Sequence, residues 1–379
     1  MNNHFAAGIC LLLVLGACTD SRQGPPAAAI DLTGFLNGGN NDRFAQVITP
    51  ANLSFPDDHG EHPAYRIEWW YFTGNLATAA GREFGYQFTI FRYALEPSAH
   101  DPVQDVSSWR SSQVYMAHAA ISDIGTGQML YDEQIGRGAL GLAGVSQAPF
   151  RAWLHHWEVS GDPDACLDCF NVNINVRADE FSLNLQLASA DAPVLHGGAG
   201  FSRKSMSGNN ASYYYSLTRL HTSGNLMSGT SVFNVTGDSW FDHEWSSAML
   251  PVDYAGWDWF SMQLSDQSEI MLFRLRHRSD TLQDFYAGTQ VNRAGIATSL
   301  EAEEIRLVPT TTWQSPVSGT SYPSTWDVTV GKSRFRVSPK IQDQELNTSF
   351  RYWEGSVDIM GLTDPLIHGH GYMELTGYE

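Results

Sequence analysis

The feature that most limits what this chain can fold into is an apolar–polar alternation of period two. It recurs in short segments from Arg66 almost to the C-terminus. In Phe181–Leu187, Phe, Leu, Leu and Leu alternate with Ser, Asn and Gln. Just before it, Val172, Ile174 and Val176 alternate with asparagines. Successive side chains of a strand point to opposite faces, so this pattern gives each segment one apolar face. Turn-forming clusters at Thr78–Gly81, Asp123–Gly127 and Ala178–Glu180 punctuate the segments. No stretch carries a long helical period; Asp238–Ser247 and Leu300–Glu304 are expected to hold a helical turn or two at most. Charged residues make up 17% of the chain, against about 25% in average soluble domains. With 12% aromatics and 34 glycines, this composition suits sheets better than helical bundles.

The candidate strands fall into two runs. The first extends from Arg66–Leu76 to Thr230–Trp240 and includes Arg151–Val159. The second extends from Trp257–Leu264 to His370–Leu375. Between them lies WFDHEWSSAMLPVDYAG, the stretch richest in reactive side chains. A chain of 379 residues has room for two domains. Two runs of about eight strands each predict two consecutive antiparallel β-barrels, residues 45–240 and 241–379; such barrels enclose side chains or one small ligand. The halves share no strict sequence repeat.

The first 44 residues read as an address and a tether. Residues 5–17, FAAGICLLLVLGA, form an uncharged apolar run too short to span a bilayer but suited to a signal peptide, although Met1–His4 carries no Lys or Arg. The run ends in Leu15-Gly16-Ala17-Cys18, which resembles a bacterial lipobox and predicts removal of residues 1–17 and lipidation of Cys18. Thr19 follows the cysteine and Asp20 comes one place later, which favours the outer over the inner membrane by resemblance to lipoproteins. The expected location is therefore the periplasm, with residues 18–44 as anchor and polar, Gly/Pro-rich tether. In an oxidising compartment, Cys166 and Cys169 are expected to form a loop disulfide. Asp+Glu 41 against Lys+Arg 22 gives a net charge of −19, which argues against nucleic-acid binding.

Particular motifs add a family. Ile67-Glu68-Trp69-Trp70-Tyr71-Phe72-Thr73-Gly74-Asn75-Leu76 and Phe84–Arg92 resemble the two opening strands of the carotenoid 1,2-hydratase-like, lipocalin-like family. Asp238-Ser239-Trp240-Phe241-Asp242-His243-Glu244-Trp245 resembles its hallmark, and Trp257-Asp258-Trp259-Phe260 the strand opening the second half. The resemblance covers roughly residues 45–375 and implies two calycin barrels. Exported members are commonly labelled secreted hydrolases, and some resemble products encoded beside ABC-type permeases. Resembling hydratases carry a similar Asp-His-x-Trp whose His and Trp are implicated in activity, which assigns that role to His243 and Trp245. Such a motif marks a family more firmly than a reaction.

The residues themselves nominate one site. Glu68, Trp70 and Phe72 share one strand face. If that face points inward, burial is expected to raise the Glu68 carboxyl and make it an acid; the structural alternative is pairing with Arg92 or Arg110. Hydration of a carbon–carbon double bond needs a protonated acid and aromatic faces for the resulting cation. Asp242, His243 and Glu68 are therefore the catalytic candidates, and Trp70, Glu244, Trp245 and Trp257 the ligand-binding ones, all expected in one pocket at the barrel junction. The alternative is that Asp242–Trp245 only locks the two barrels together. Tyr213-Tyr214-Tyr215 and Trp257/Trp259 could line a ligand cavity or fill a core.

No metal or cofactor is expected. D-H-E places potential ligands on adjacent, diverging residues, His155-His156 should diverge within a strand, and HExxH and paired CxxC motifs are absent. G-x-S-x-G is absent too, which gives the hydrolase label no support. The expected function is binding of an apolar, isoprenoid- or lipid-like molecule, with hydratase or isomerase chemistry as its catalytic form. The alternatives are a non-catalytic accessory of an ABC-type permease and a secreted hydrolase.

Overall fold

In the computed structural model, the described residues are 43–97, 111–162, 169–206, 210–247 and 250–378. Cys18, Cys166, Arg110 and the expected signal peptide lie outside them. Cys169 is disulfide-bonded.

Alternation in the sequence becomes alternation in burial. Along Phe170–Arg177 and Phe181–Ser189 every second side chain is buried and the intervening ones face outward. Among the described residues all strand pairs are antiparallel; apart from the separate hairpin Thr312–Gln314 with Ser321–Pro323, they build two nearly closed barrel sheets. The main path of the first sheet runs, neighbour to neighbour, through Gln128–Arg137, Gln113–Asp123, Glu83–Ala94, Ile67–Ala77, Ser231–Ser246, Ala211–Ser228, Phe181–Ser189, Phe170–Arg177, Trp157–Gly161, Phe150–Leu154 and Ala143–Gln147. The second centres on Tyr254–Leu264, which pairs with Glu269–His277 on one side and His368–Thr376 on the other; Arg351–Gly361 follows beyond. Each interior is filled with its own side chains. Trp70, Phe72, Trp157 and Trp245 lie in the first and Phe260, Trp326 and Trp353 in the second.

The barrels pack against each other through outer faces that would otherwise be wet. Ile67, Tyr71, Tyr214 and Trp240 of the first meet Trp259, Phe273 and Tyr372 of the second. A strand at this junction is covered on both faces, so the last eight residues of Ser231–Ser246 are all buried. The same burial explains the unbroken apolar run Trp69–Phe72, where alternation is lost.

Three sequence expectations are corrected. Asp238–Ser246 is strand rather than helical turn, so a boundary at 240/241 cuts a strand; the sheets change between Ser246 and Tyr254. Leu300–Glu304 does contain a short 3-10 turn, Ala302–Glu304. Arg151–Val159 is a hairpin, Phe150–Leu154 and Trp157–Gly161, so His155 and His156 sit in its exposed turn instead of diverging from a strand.

Candidate functional site

The strand Ser231–Ser246 divides the residues that the sequence gathers into one pocket. It pairs with Ile67–Ala77 in a register that sets Glu68 opposite Trp245, Trp69 opposite Glu244, Trp70 opposite His243 and Tyr71 opposite Asp242. Directly opposed residues share a face. Glu68, Trp70, His243 and Trp245 therefore point into the first barrel, whereas Asp242 and Glu244 point out towards the second, with Trp69 and Tyr71. The single expected pocket is two sites, one on each side of a single sheet.

Inside the barrel, Glu68 is fully buried. Burial alone would raise its carboxyl, but the charges of Arg92 and His62, with hydrogen bonds to His243 and His62, hold it well below the usual range. Arg92 Nε donates to Oε2 at 2.8 Å, and the backbone N–H of His62 donates to the same oxygen at 2.9 Å. His62 Nδ1 and His243 Nε2 lie 2.6 and 3.0 Å from Oε1. The expectation of a protonated Glu68 is thus overturned: it is a carboxylate, held by the Arg92 pairing that was its structural alternative. The two imidazoles lie against indoles. His62 stacks on Trp245 at 3.7 Å between centroids, and His243 on Trp70 at 4.8 Å. Burial lowers His243 below an ordinary histidine, outweighing the attraction of Glu68.

Between the barrels lies a cavity of about 110 Å³. Trp69, Tyr71, Trp257, Trp259 and Phe273 give it aromatic walls. Four carboxyl groups, Asp242, Glu244, Glu354 and Glu374, face it, as does Lys204. Lys204 Nζ pairs with Glu244 at 2.6 Å and lies 4.3 Å from the Phe273 ring centre. Burial raises Asp242 to about 7, although Ser216, Tyr214 and Trp240 all donate to it and oppose the shift. The Trp240 Nε1 and Tyr214 hydroxyl bonds are both 2.6 Å.

Glu354 and Glu374 sit directly opposite each other on Arg351–Gly361 and His368–Thr376. Burial pushes Glu354 well above its usual range, and the neighbouring Glu374 pushes it further. Burial raises Glu374 to about 7, against a bond from Trp257 and with the negative charges of Asp242 and Glu244 adding to the rise. Two carboxylates this close cannot both ionise cheaply, so the pair holds a proton at neutral pH. The Tyr71 and Tyr352 hydroxyls lie against Glu354 and oppose its rise.

Of the residues nominated from sequence, Asp242, Glu244 and Trp257 line this cavity; Glu68, Trp70, His243 and Trp245 do not. Tyr214 faces it, whereas Tyr213 and Tyr215 belong to the first barrel's interior. The sequence reading missed Glu354, Glu374 and Lys204; Trp259, which it offered as a possible cavity residue, does line the wall. Tyr352-Trp353-Glu354 repeats the signal that drew attention to Glu68, an acid among strand aromatics, but on a strand with no flanking motif.

Residues 46–378 match the AttH-like family model. The chain belongs to the AttH-like family. A Nitrosomonas europaea protein assigned to AttH, whose crystal structure is known, is 33% identical, with 89% of this chain and 100% of that one covered and a TM-score of 0.78. Kievitone hydratase from Nectria haematococca superposes with a TM-score of 0.66 at 14% identity, covering 89% of this chain and 96% of its own. CghA does so with a TM-score of 0.52 at 10% identity, covering 89% and 97%. At such identities these two show a shared fold alone. No curated protein matches the AttH-like chain.

Proposed function

We propose that the inter-barrel cavity of this AttH-like protein binds a small apolar molecule containing a carbon–carbon double bond and protonates it. The observation that carries this reading is the Glu354–Glu374 pair, two buried carboxyls set opposite each other against aromatic walls. In the forward step the carboxyl O–H bond breaks and its proton joins one alkene carbon, leaving a cation on the other. The faces of Trp69 and Trp259 and the nearby acidic side chains Asp242 and Glu244 stabilise that cation. Water then adds to the cation and returns one proton to the carboxylate, which completes a hydration. Loss of a neighbouring C–H proton instead completes an isomerisation. The fold shared with a hydratase supports the first outcome by analogy.

The hydrolase alternative gains nothing from the geometry. Ser216 Oγ lies 2.6 Å from His196 Nε2, but Ser216 donates its proton to Asp242, and Thr289 Oγ1 rather than a carboxylate contacts His196 Nδ1 at 2.8 Å. Burial drives His196 down to about 3, too weak to serve as a base. The filled barrel interiors would suit an accessory protein of a permease, but such a role gives no reason for an acid-lined cavity.

Native mass spectrometry of the protein isolated from its own envelope tests the binding step. One apolar molecule per chain is expected, and Trp257→Ala, which removes part of the wall, should weaken its retention about 10- to 30-fold. Wild-type protein without such a ligand, or a Trp257→Ala variant retaining it unchanged, would count against the cavity. We place the protein in the periplasm, anchored through Cys18 to the outer membrane. Labelled palmitate should enter the wild type and not Cys18→Ser; equal labelling of both refutes the anchor.

A further inference from the structure

Outside the cavity, the interior of the first barrel brings together three donor atoms from distant parts of the chain. His62 Nδ1, Glu68 Oε1 and His243 Nε2 all lie within 4.8 Å of one another. The outer nitrogens of both rings are committed elsewhere. His62 Nε2 lies 3.0 Å from the Asp58 carboxylate, and His243 Nδ1 lies 3.0 Å from the Asp58 backbone carbonyl. A carbonyl and a carboxylate only accept, which favours a hydrogen on each outer nitrogen; the Tyr215 hydroxyl, 3.1 Å from His243 Nδ1, is a second partner there. The inner nitrogens lie 2.6 and 3.0 Å from Glu68 Oε1 and hydrogen-bond it; in the tautomer protonated on the outer nitrogen, the same atoms present lone pairs to an ion. Three potential ligand atoms thus converge in a buried space, where imidazole hydrogens or a metal ion can lie between them. Arg92 is engaged elsewhere, because its Nε holds the other oxygen, Oε2, and Nη2 is committed to the His62 and Tyr65 carbonyls. A metal ion would displace the hydrogens that the inner nitrogens share with Glu68.

We propose that His62, Glu68 and His243 form a binding site for a divalent transition-metal ion of the zinc class. Two imidazoles and one carboxylate are a common ligand set for such ions, and imidazoles oriented by a carboxylate and a carbonyl are the usual outer support. Bonds of about 2.0–2.2 Å would set the donors about 3.3 Å apart, so Glu68 Oε1 and His62 Nδ1 separate by about 0.7 Å from 2.6 Å. The ion also has a structural consequence. Asp58 and His62 belong to the segment crossing this end of the barrel, where Asp57–His59 forms a 3-10 turn and Trp70 Nε1 bonds the His59 carbonyl at 2.9 Å. Bound metal would join that segment to two strands of the barrel wall. The site is independent of the proposed alkene chemistry, since its residues face away from the cavity.

Cobalt(II), a spectroscopic substitute for zinc, tests it on the EDTA-stripped full chain. The expected result is one equivalent of Co²⁺ per chain with visible ligand-field bands, displaced by Zn²⁺, and a raised melting temperature. His62 is partly exposed, so His62→Ala should keep the near-ultraviolet circular dichroism of the folded chain and lose the bands. Asp58→Asn keeps all three ligands and weakens only their support; it should lower the affinity about 10- to 100-fold. His221→Ala, at an exposed histidine elsewhere, should change nothing. Absence of stoichiometric Co²⁺ in the folded wild type overturns the site. So does Co²⁺ uptake that is equally strong in both the His62→Ala and Asp58→Asn variants.

Discussion

Replacing Arg92 by Leu should lower the stability of the protein by about 3–5 kcal/mol, because it leaves the Glu68 carboxylate buried without its guanidinium. Both side chains are fully buried, so water cannot take the place of the lost partner. In a barrel of about 200 residues this corresponds to a fall in melting temperature of about 6–20 °C. Much of that loss is the penalty of the orphaned ion. The double variant Arg92→Leu/Glu68→Leu should therefore melt above the single one. The pH dependence has a definite sign. Glu68 is lower in the folded chain than its ordinary value of 4.5, so its contribution is present above pH 4.5 and is lost as pH falls towards its folded value. The gap between wild type and Arg92→Leu should accordingly narrow in acid. Urea unfolding of the three proteins across pH measures all of this. An Arg92→Leu variant as stable as wild type at pH 7 would show that the ion pair is not what holds this end of the barrel.

The second large effect concerns catalysis. Glu354→Gln and Glu374→Gln keep the shape of the pair and remove its acidic proton. Each should slow turnover of the ligand recovered from the cavity about 10²- to 10⁴-fold, the usual contribution of a positioned general acid. Turnover in the wild type should decline as pH rises above about 7, where Glu374 loses its proton. A stability signature accompanies this and needs no substrate. Both carboxyls are raised above 4.5 in the folded chain, so the folded state binds protons more tightly than the unfolded one. Their stabilising contribution is complete below pH 4.5; the part from Glu374 is lost as pH rises through about 7, and the part from Glu354 as pH rises through its own raised value. The double Gln variant should lack that decline. If turnover and the pH slope both survive the double substitution, the pair is not the acid.

These two effects also separate the sites that the sequence presents as one. Loss of Arg92 acts inside the first barrel, on the face of Glu68 and His243. Loss of the glutamate pair acts across the junction, on the face of Asp242. The two strands that carry Glu68 and Asp242 are neighbours, so chain proximity alone cannot assign these residues to a common pocket.

The sequence by itself determined the fold class, because a period of two over many short segments admits sheets and little else. It also located the family, since Ile67–Leu76 and Asp238–Trp245 are long, specific runs. It identified Glu68, Trp70 and Phe72 as sharing a face, because side chains on a strand alternate whatever the surroundings. Which way that face points depends on the other side of the sheet. At the junction both sides are covered, so hydrophobicity no longer marks inside and outside, and the assignment of Asp242 apart from His243 came only from register. The ionisation of Glu68 was likewise decided by Arg92 and His62, which reach it through strand pairing and a crossing segment. Glu354 and Glu374 lie twenty residues apart in the chain and more than a hundred beyond Asp242. Only the closing of the second barrel and its packing on the first make these acids neighbours, because electrostatic coupling falls with distance in space and is indifferent to separation along the chain.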